Sequence, residues 1–260
     1  MQEQPSPPPD NGEERVAPVL ANRSFRLLWF AQILSQTAQN AILYALIIVV
    51  LALTESTTST SGVILAFVIP IVVFGIFSGV LVDRWSKRRL LIITNAGRAV
   101  CAVAFFFGRE HIWAIYGITV FFASFSQLFI TSSAASIPFI VSRKQLISAN
   151  SLYSAGFTLA QVAGLIILSP TILKTAGADV LFFTAAAIFI LSSALARFQP
   201  TITEGGHDEI EGTFPGWDEL RGAASDFAHA FRNLRGDPLS TLAMAHIALS
   251  STLILLFAVI

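Results

Sequence analysis

The chain holds one cysteine, two methionines and few charges: Asp, Glu, Lys and Arg together make up 12% of its 260 residues. A lone Cys101 excludes a disulfide framework, and within an apolar run it reads as a small buried hydrophobe. There is no G-x-x-x-x-G-K-[ST] phosphate loop and no G-x-S-x-G nucleophile motif, which argues against ATP-driven work within this chain and against serine hydrolysis. His111, His207 and His229 fall in loops or a polar linker, and His246 stands alone in an apolar run, so no facing base is on offer. The expectation is a protein that is not an enzyme, with no cofactor, no metal and no nucleic acid partner.

Hydrophobic residues dominate instead. They amount to 54% of the chain, with a mean hydropathy of +0.71, more apolar surface than a soluble domain of this size could cover. Windows of ~20 apolar residues, the length that crosses a ~30 Å hydrocarbon core, occur near 24–53, 62–82, 89–108, 112–137, 149–173 and 179–199. A seventh begins after Pro238 and continues to Ile260. Barrel strands would be about half as long and alternating, so the fold class predicted is all-α, a polytopic membrane protein in the lipid bilayer.

The segment 1–21 carries Pro5, Pro7, Pro8 and Pro9 with few large apolar residues, which predicts a disordered cytoplasmic tail without a signal peptide. In this topology Arg109 and Lys174 fall on one face and Arg98 within a span, while every other Lys and Arg lies on the opposite face. The positive-inside rule then sets the N-terminus in the cytoplasm and the chain in the cell inner (plasma) membrane, multi-pass.

The densest cationic stretch is Gly79-Val80-Leu81-Val82-Asp83-Arg84-Trp85-Ser86-Lys87-Arg88-Arg89, between two apolar runs. Such a cluster cannot enter lipid and reads as a tight loop at one membrane face. The pattern G-x-L-x-D-R-x-x-[KR]-[KR]-[KR] after a glycine-rich helix resembles the loop between helices 2 and 3 of the major facilitator superfamily. The resemblance implies a cytoplasmic gate motif of Gly79, Asp83, Arg84, Lys87, Arg88 and Arg89: the glycine admits a close helix, the aspartate meets a helix N-terminus and cations of the other half, and the cluster latches the cytoplasmic side shut.

A second stretch, Pro138 to Leu152, follows a serine-rich span. Pro138 is expected to close that helix, Arg143 and Lys144 to hold the loop in the cytoplasm, and Asn150 to sit near the next helix start, where an amide caps free N–H groups. P-x-x-V-x-R-x-x-L-x-x-A-N-x-L resembles the loop between helices 4 and 5 in the bacterial exporter branch of the same superfamily, which includes enterobactin-exporter-like and macrolide-efflux-like proteins. The resemblance spans about residues 22–200 and implies a six-helix N-terminal bundle built from two inverted three-helix repeats. It implies a secondary active transporter that exports a small amphipathic molecule by alternating access, with the C-terminal half of the same transporter as partner if the chain is truncated. A half-size membrane scaffold or partner subunit without transport activity of its own is the alternative. Relatives carry an acid near Gln39 and another near Asn95, and Gly-Pro where this chain has Gly164-Leu165, so proton coupling through those positions is not carried over.

Gln32, Gln36, Gln39 and Asn40 share one face of span 1, costly against lipid; it lines a cavity or a helix contact, and interhelical amide bonding without a substrate accounts for it equally well. In span 2, Gly75 and Gly79 form a GxxxG read as a packing device, and Pro70 a possible kink. Arg98 lies nine residues past Arg89, so about 13 Å into a ~30 Å core. It either meets an anionic group on a substrate or is an amide-bonded arginine that orders spans 1 and 3. The candidate substrate cavity is therefore Gln32, Gln36, Gln39, Asn40, Asn95, Arg98 and Gln127. Beyond it, 201–238 is expected to be a cytoplasmic linker with an amphipathic helix, its stripe including Trp217, Phe227 and Phe231, and 239–260 the start of helix 7.

Overall fold

The computed structural model describes residues 18–199. The residues expected to form the N-terminal tail up to 17, the linker helix and the seventh span lie outside the described residues, as do the side chains of Asp83 and Arg84. The helices are α1 (Arg23–Thr54), α2 (Thr57–Arg84), α3 (Lys87–Gly108), α4 (Ile112–Ile140), α5 (Leu146–Val162), α6 (Ser169–Thr175) and α7 (Gly177–Arg197). A π-helical stretch, Ala163–Leu168, joins α5 to α6, so the two form one span. Six segments are long and apolar enough to cross a membrane, and no strand occurs among the described residues. The all-α expectation holds.

Helix ends follow local chemistry. Before α1 a 3-10 turn at Val19–Ala21, with Val19 buried, falls inside the stretch expected to be disordered. Asn22 caps α1: its Oδ1 accepts from the Ser24 and Phe25 amides at 2.9 and 3.3 Å, while its Nδ2 donates to the Ile140 carbonyl at 2.8 Å. One side chain thus closes two helix ends from different halves of the bundle. Asn22→Ala is expected to cost about 1–2 kcal/mol, read as a melting temperature a few degrees lower for the detergent-purified protein; an unchanged melt would show that the cap is dispensable.

Two expected helix ends differ. Pro138 does not stop α4; it sits in the last turn, which closes at Ile140 with the Val141 amide on the Ile137 carbonyl. The proline deprives the Ala134 carbonyl of its donor four residues on, and the helix runs only two residues further. Asn150 is not a cap. It lies exposed in the second turn of α5, and the start of that segment is held by a capping box between Ser142 and Gln145. The π-helical stretch was not anticipated either. Pro170 follows it, and a residue without N–H whose ring crowds the carbonyl four residues back favours such a widened turn. Gly177, at φ +85°, then turns the chain into α7.

The six spans pack in a pattern that repeats itself. α4 lies against α2 and α3, and α1 correspondingly against α5 and α7, while α3 packs on α7. Exchanging spans 1, 2, 3 with 4, 5, 6 reproduces these pairs, as expected of two three-helix repeats. In lipid the hydrophobic effect does not drive helices together, so close fit and interhelical hydrogen bonds carry the packing. Small residues supply the fit: a Cβ on Gly156 would lie 2.6 Å from the Trp29 Nε1, and one on Gly97 2.8 Å from the Phe125 ring. The glycines read as a GxxxG device do not act so: Gly75 makes only an ordinary contact with Gln127, and Gly79 has no described atom within 4 Å of its Cβ position.

Two apolar clusters fill the bundle. One, toward the α1 C-terminus, stacks Phe67, Phe105, Phe122, Phe182 and Phe189, with ring centroids 5.7–5.9 Å apart. The other gathers Phe25, Leu28, Leu91, Phe129 and Ile137 toward the opposite end. The polar residues of α1 and α3 around Arg98 occupy the layer between them.

Candidate functional site

The α2–α3 connection is only Trp85 and Ser86, with Ser86 Oγ accepting from the Arg89 amide at 3.5 Å. Of the cations beside it, Arg89 is exposed and Arg88 half-buried, whereas Lys87 is buried with its ammonium 4.8 Å from the Phe139 ring centroid. The basic loop is therefore not simply a solvated surface. It reaches under the last turn of α4, near the α4–α5 connection that carries exposed Arg143.

Deeper, Arg98 has no exposed surface. Its Nη1 donates to Gln39 Oε1 at 3.2 Å, and its Nη2 donates to Ser35 Oγ at 2.5 Å and Asn95 Oδ1 at 2.8 Å. The Ser35 hydroxyl donates in turn to Asn95 Oδ1 at 2.8 Å. Phe129 and Phe189 flank the guanidinium, their ring centroids 4.2 and 4.8 Å from its carbon. A flat cation between two ring faces suits cation–π attraction, and the neutral oxygens complete its hydrogen bonding.

The expected cavity residues thus separate. Gln39, Asn95 and Arg98 converge, closed in among α1, α3, α4 and α7, so within the described bundle Arg98 ties helices together and does not front an open cavity. Gln32 donates to the Tyr153 carbonyl of α5 at 3.2 Å, and Asn40 bonds back to the Gln36 carbonyl within α1 at 2.8 Å. Gln36 is fully buried and neither amide atom has a partner. Gln127 stands elsewhere, on the α2–α4 seam, bonded to Thr131, whose hydroxyl meets Ser78 at 3.1 Å. Sequence reasoning missed Ser35, Phe129 and Phe189 as partners of Arg98. Ser35 stands one turn before Gln39 on α1, which was the available signal; nothing local marks a phenylalanine as a partner for a distant arginine.

The family model described as Major Facilitator Superfamily matches residues 28–260. The chain belongs to the major facilitator superfamily. Among curated proteins it is similar to the uncharacterized MFS-type transporter YfiS of Bacillus subtilis (strain 168), 24% identical over 159 residues, 61% of this chain and 38% of that protein. Among solved structures, the in meso crystal structure of the POT family transporter PepTSo aligns with a TM-score of 0.63 at 12% identity, covering 81% of this chain and 47% of that one. An identity that low shows the shared fold alone. The chain spans less than half the length of either relative. Membership of the superfamily agrees with a protein that is not an enzyme.

Proposed function

We propose that the chain forms the N-terminal bundle, with the start of the second, of a secondary active transporter that exports a small amphipathic molecule by alternating access. In this reading it resides in the cell inner membrane with its N-terminus cytoplasmic and works with a C-terminal bundle of the same transporter. The observation that carries the reading is the repeat-related packing of six spans within a superfamily match: two halves that rock about a central site need such rigid bundles. Export, and not uptake, rests on the likeness of the Pro138 to Leu152 stretch to the exporter branch.

The gate role of Gly79, Asp83, Arg84, Lys87, Arg88 and Arg89 belongs to the same proposal. Gly79, uncrowded by any described residue, leaves its face of α2 open to a helix from the second bundle. Gln127, half-buried on α4, and Gln39 and Asn40, which keep slight exposure on α1, are the candidate residues available to a substrate when the bundles part. The test is Asp83→Asn in the full-length transporter, reconstituted in vesicles. Loss of a latch worth ~1.4 kcal/mol predicts transport lower by about tenfold, with membrane insertion unchanged. Normal counterflow by that variant would remove the gate from the proposal.

A further inference from the structure

The fifth span carries polar side chains on its outer face. Beyond its first turn, the exposed residues of α5 sort into two arcs at about 100° per residue: Asn150, Ser151, Ser154, Thr158 and Gln161 fall together, and Ala155, Leu159 and Val162 lie beside them. The opposite side, with Ala149, Gly156 and Ala160 buried, belongs to the bundle, where a Cβ on Gly156 would meet Trp29 and Ile33 of α1.

The polar arc runs deep. Gln161 lies near the middle of the apolar segment Arg143–Thr175, about 22 Å along the helix from Leu146 and about 21 Å short of Thr175. The Ser151 hydroxyl donates to the Ile147 carbonyl at 2.9 Å and the Thr158 hydroxyl to the Ser154 carbonyl at 3.3 Å, which leaves each hydroxyl oxygen open as an acceptor. The Ser154 hydroxyl and the Gln161 amide have no hydrogen-bond partner among the described residues. By contrast, the outward residues of α3, α4 and α7 include Val100, Phe107, Phe121 and Ile190, side chains that suit lipid. An amide at mid-bilayer is costly against hydrocarbon, so the arc is turned to water or to another polar surface. Helices that meet closely in a membrane do so through small residues. A glutamine, longer than the serine and threonine beside it, holds a neighbouring helix off, whereas water solvates it.

We propose that the face of α5 bearing Ser154, Thr158 and Gln161 is a wall of the solute route and takes an uncharged hydrogen-bonding group, a hydroxyl or an amide, of the transported molecule. The proposal rests on the transport reading. The arc holds no charged side chain, and the mid-span cation Arg98 is closed in elsewhere, so the face offers donors and acceptors without a counter-ion. The carboxamide of Gln161 supplies both at once, and the two hydroxyl oxygens accept. An ionised group would give up its water there for neutral partners alone, which disfavours it.

Thiol accessibility in the full-length transporter, reconstituted in vesicles, tests the wall with the reagent itself as the solute. Single substitutions to cysteine are made on both arcs, and the protein whose only cysteine is the buried Cys101 is the blank. The probes are two membrane-impermeant methanethiosulfonates, one anionic and one cationic, each rate taken relative to that of a free thiol. The thiolate is the reacting form and needs water around it, so Ser154→Cys, Thr158→Cys and Gln161→Cys are expected to react at least about tenfold faster than Leu159→Cys and Val162→Cys. Neither reagent is expected to be preferred. Silence at all three polar positions, or equal rates on the two arcs, would overturn the wall; silence would assign the arc to a helix of the second bundle and leave transport standing. A strong preference for one reagent would overturn the uncharged class. Adding reagent inside or outside the vesicles reads transport separately: alternating access requires reaction from both faces, and reaction from one face alone would remove it while leaving the wet, neutral arc in place.

Discussion

Gly164→Ala is expected to separate α1 from the fifth span. A Cβ there would stand 2.5 Å from the Thr37 carbonyl oxygen, 2.8 Å from the Asn40 Cβ and 3.1 Å from the Ala41 amide nitrogen. Backbone atoms of a long helix cannot step aside as a side-chain tip can, so the two spans must move apart. Nearby, Ser169 donates to the Ala41 carbonyl at 3.1 Å, a bond the same movement would stretch. Overpacking of this kind costs about 2–3 kcal/mol, a melting temperature lower by roughly 5–10 °C. Gly117→Ala is the matched control: nothing beyond its own helical turn lies within 4 Å of its Cβ position, and no loss but a gain of up to about 1 kcal/mol is expected. Equal melting of the two variants would show that the α1–α5 contact does not limit stability.

Arg98→Ala carries the other large effect. It strips a donor from Ser35, Gln39 and Asn95 and opens a space between Phe129 and Phe189. Buried polar groups left without partners, together with the cavity, predict a loss of about 3–5 kcal/mol, visible as poor monodisperse yield and a melt lower by more than about 10 °C. Arg98→Lys keeps the charge but not the planar fork, so it is expected to recover only part. A stable, monodisperse Arg98→Ala protein would refute the tie. Before the geometry was known, substrate contact and helix ordering were both open to Arg98; its complete burial puts ordering first.

The six spans were legible because a bilayer demands long apolar runs and the chain interrupts them with charge. The α1 polar stripe was legible too, since spacing alone shows which residues share a face. Its partners were not. Periodicity says that Gln39 and Ser35 look the same way, not that they look at Arg98, and it distinguishes neither Gly164, pressed on a backbone, from Gly79, which touches nothing described. Asn22 was unreadable for a related reason. Half of its work is done across 118 positions of chain, on the Ile140 carbonyl. Pro138 and Pro170 show the limit of local rules: the first lies inside the last turn and does not mark the helix end itself, and the second follows a widened turn that composition did not announce.

The buried arginine also bears on how the protein is made. A guanidinium at mid-span weighs against passage of α3 from the translocon into lipid by about 2.5–3.5 kcal/mol. Ser35 and Gln39 belong to a helix synthesised earlier, so they are already at hand when α3 emerges, whereas Phe129 and Phe189 arrive only with α4 and α7. Chain order therefore lets the first helix serve as a docking partner for the nascent third, with the aromatic rings available to close over the charge only later. Chain order and charge order agree: the neutral acceptors precede the cation they receive.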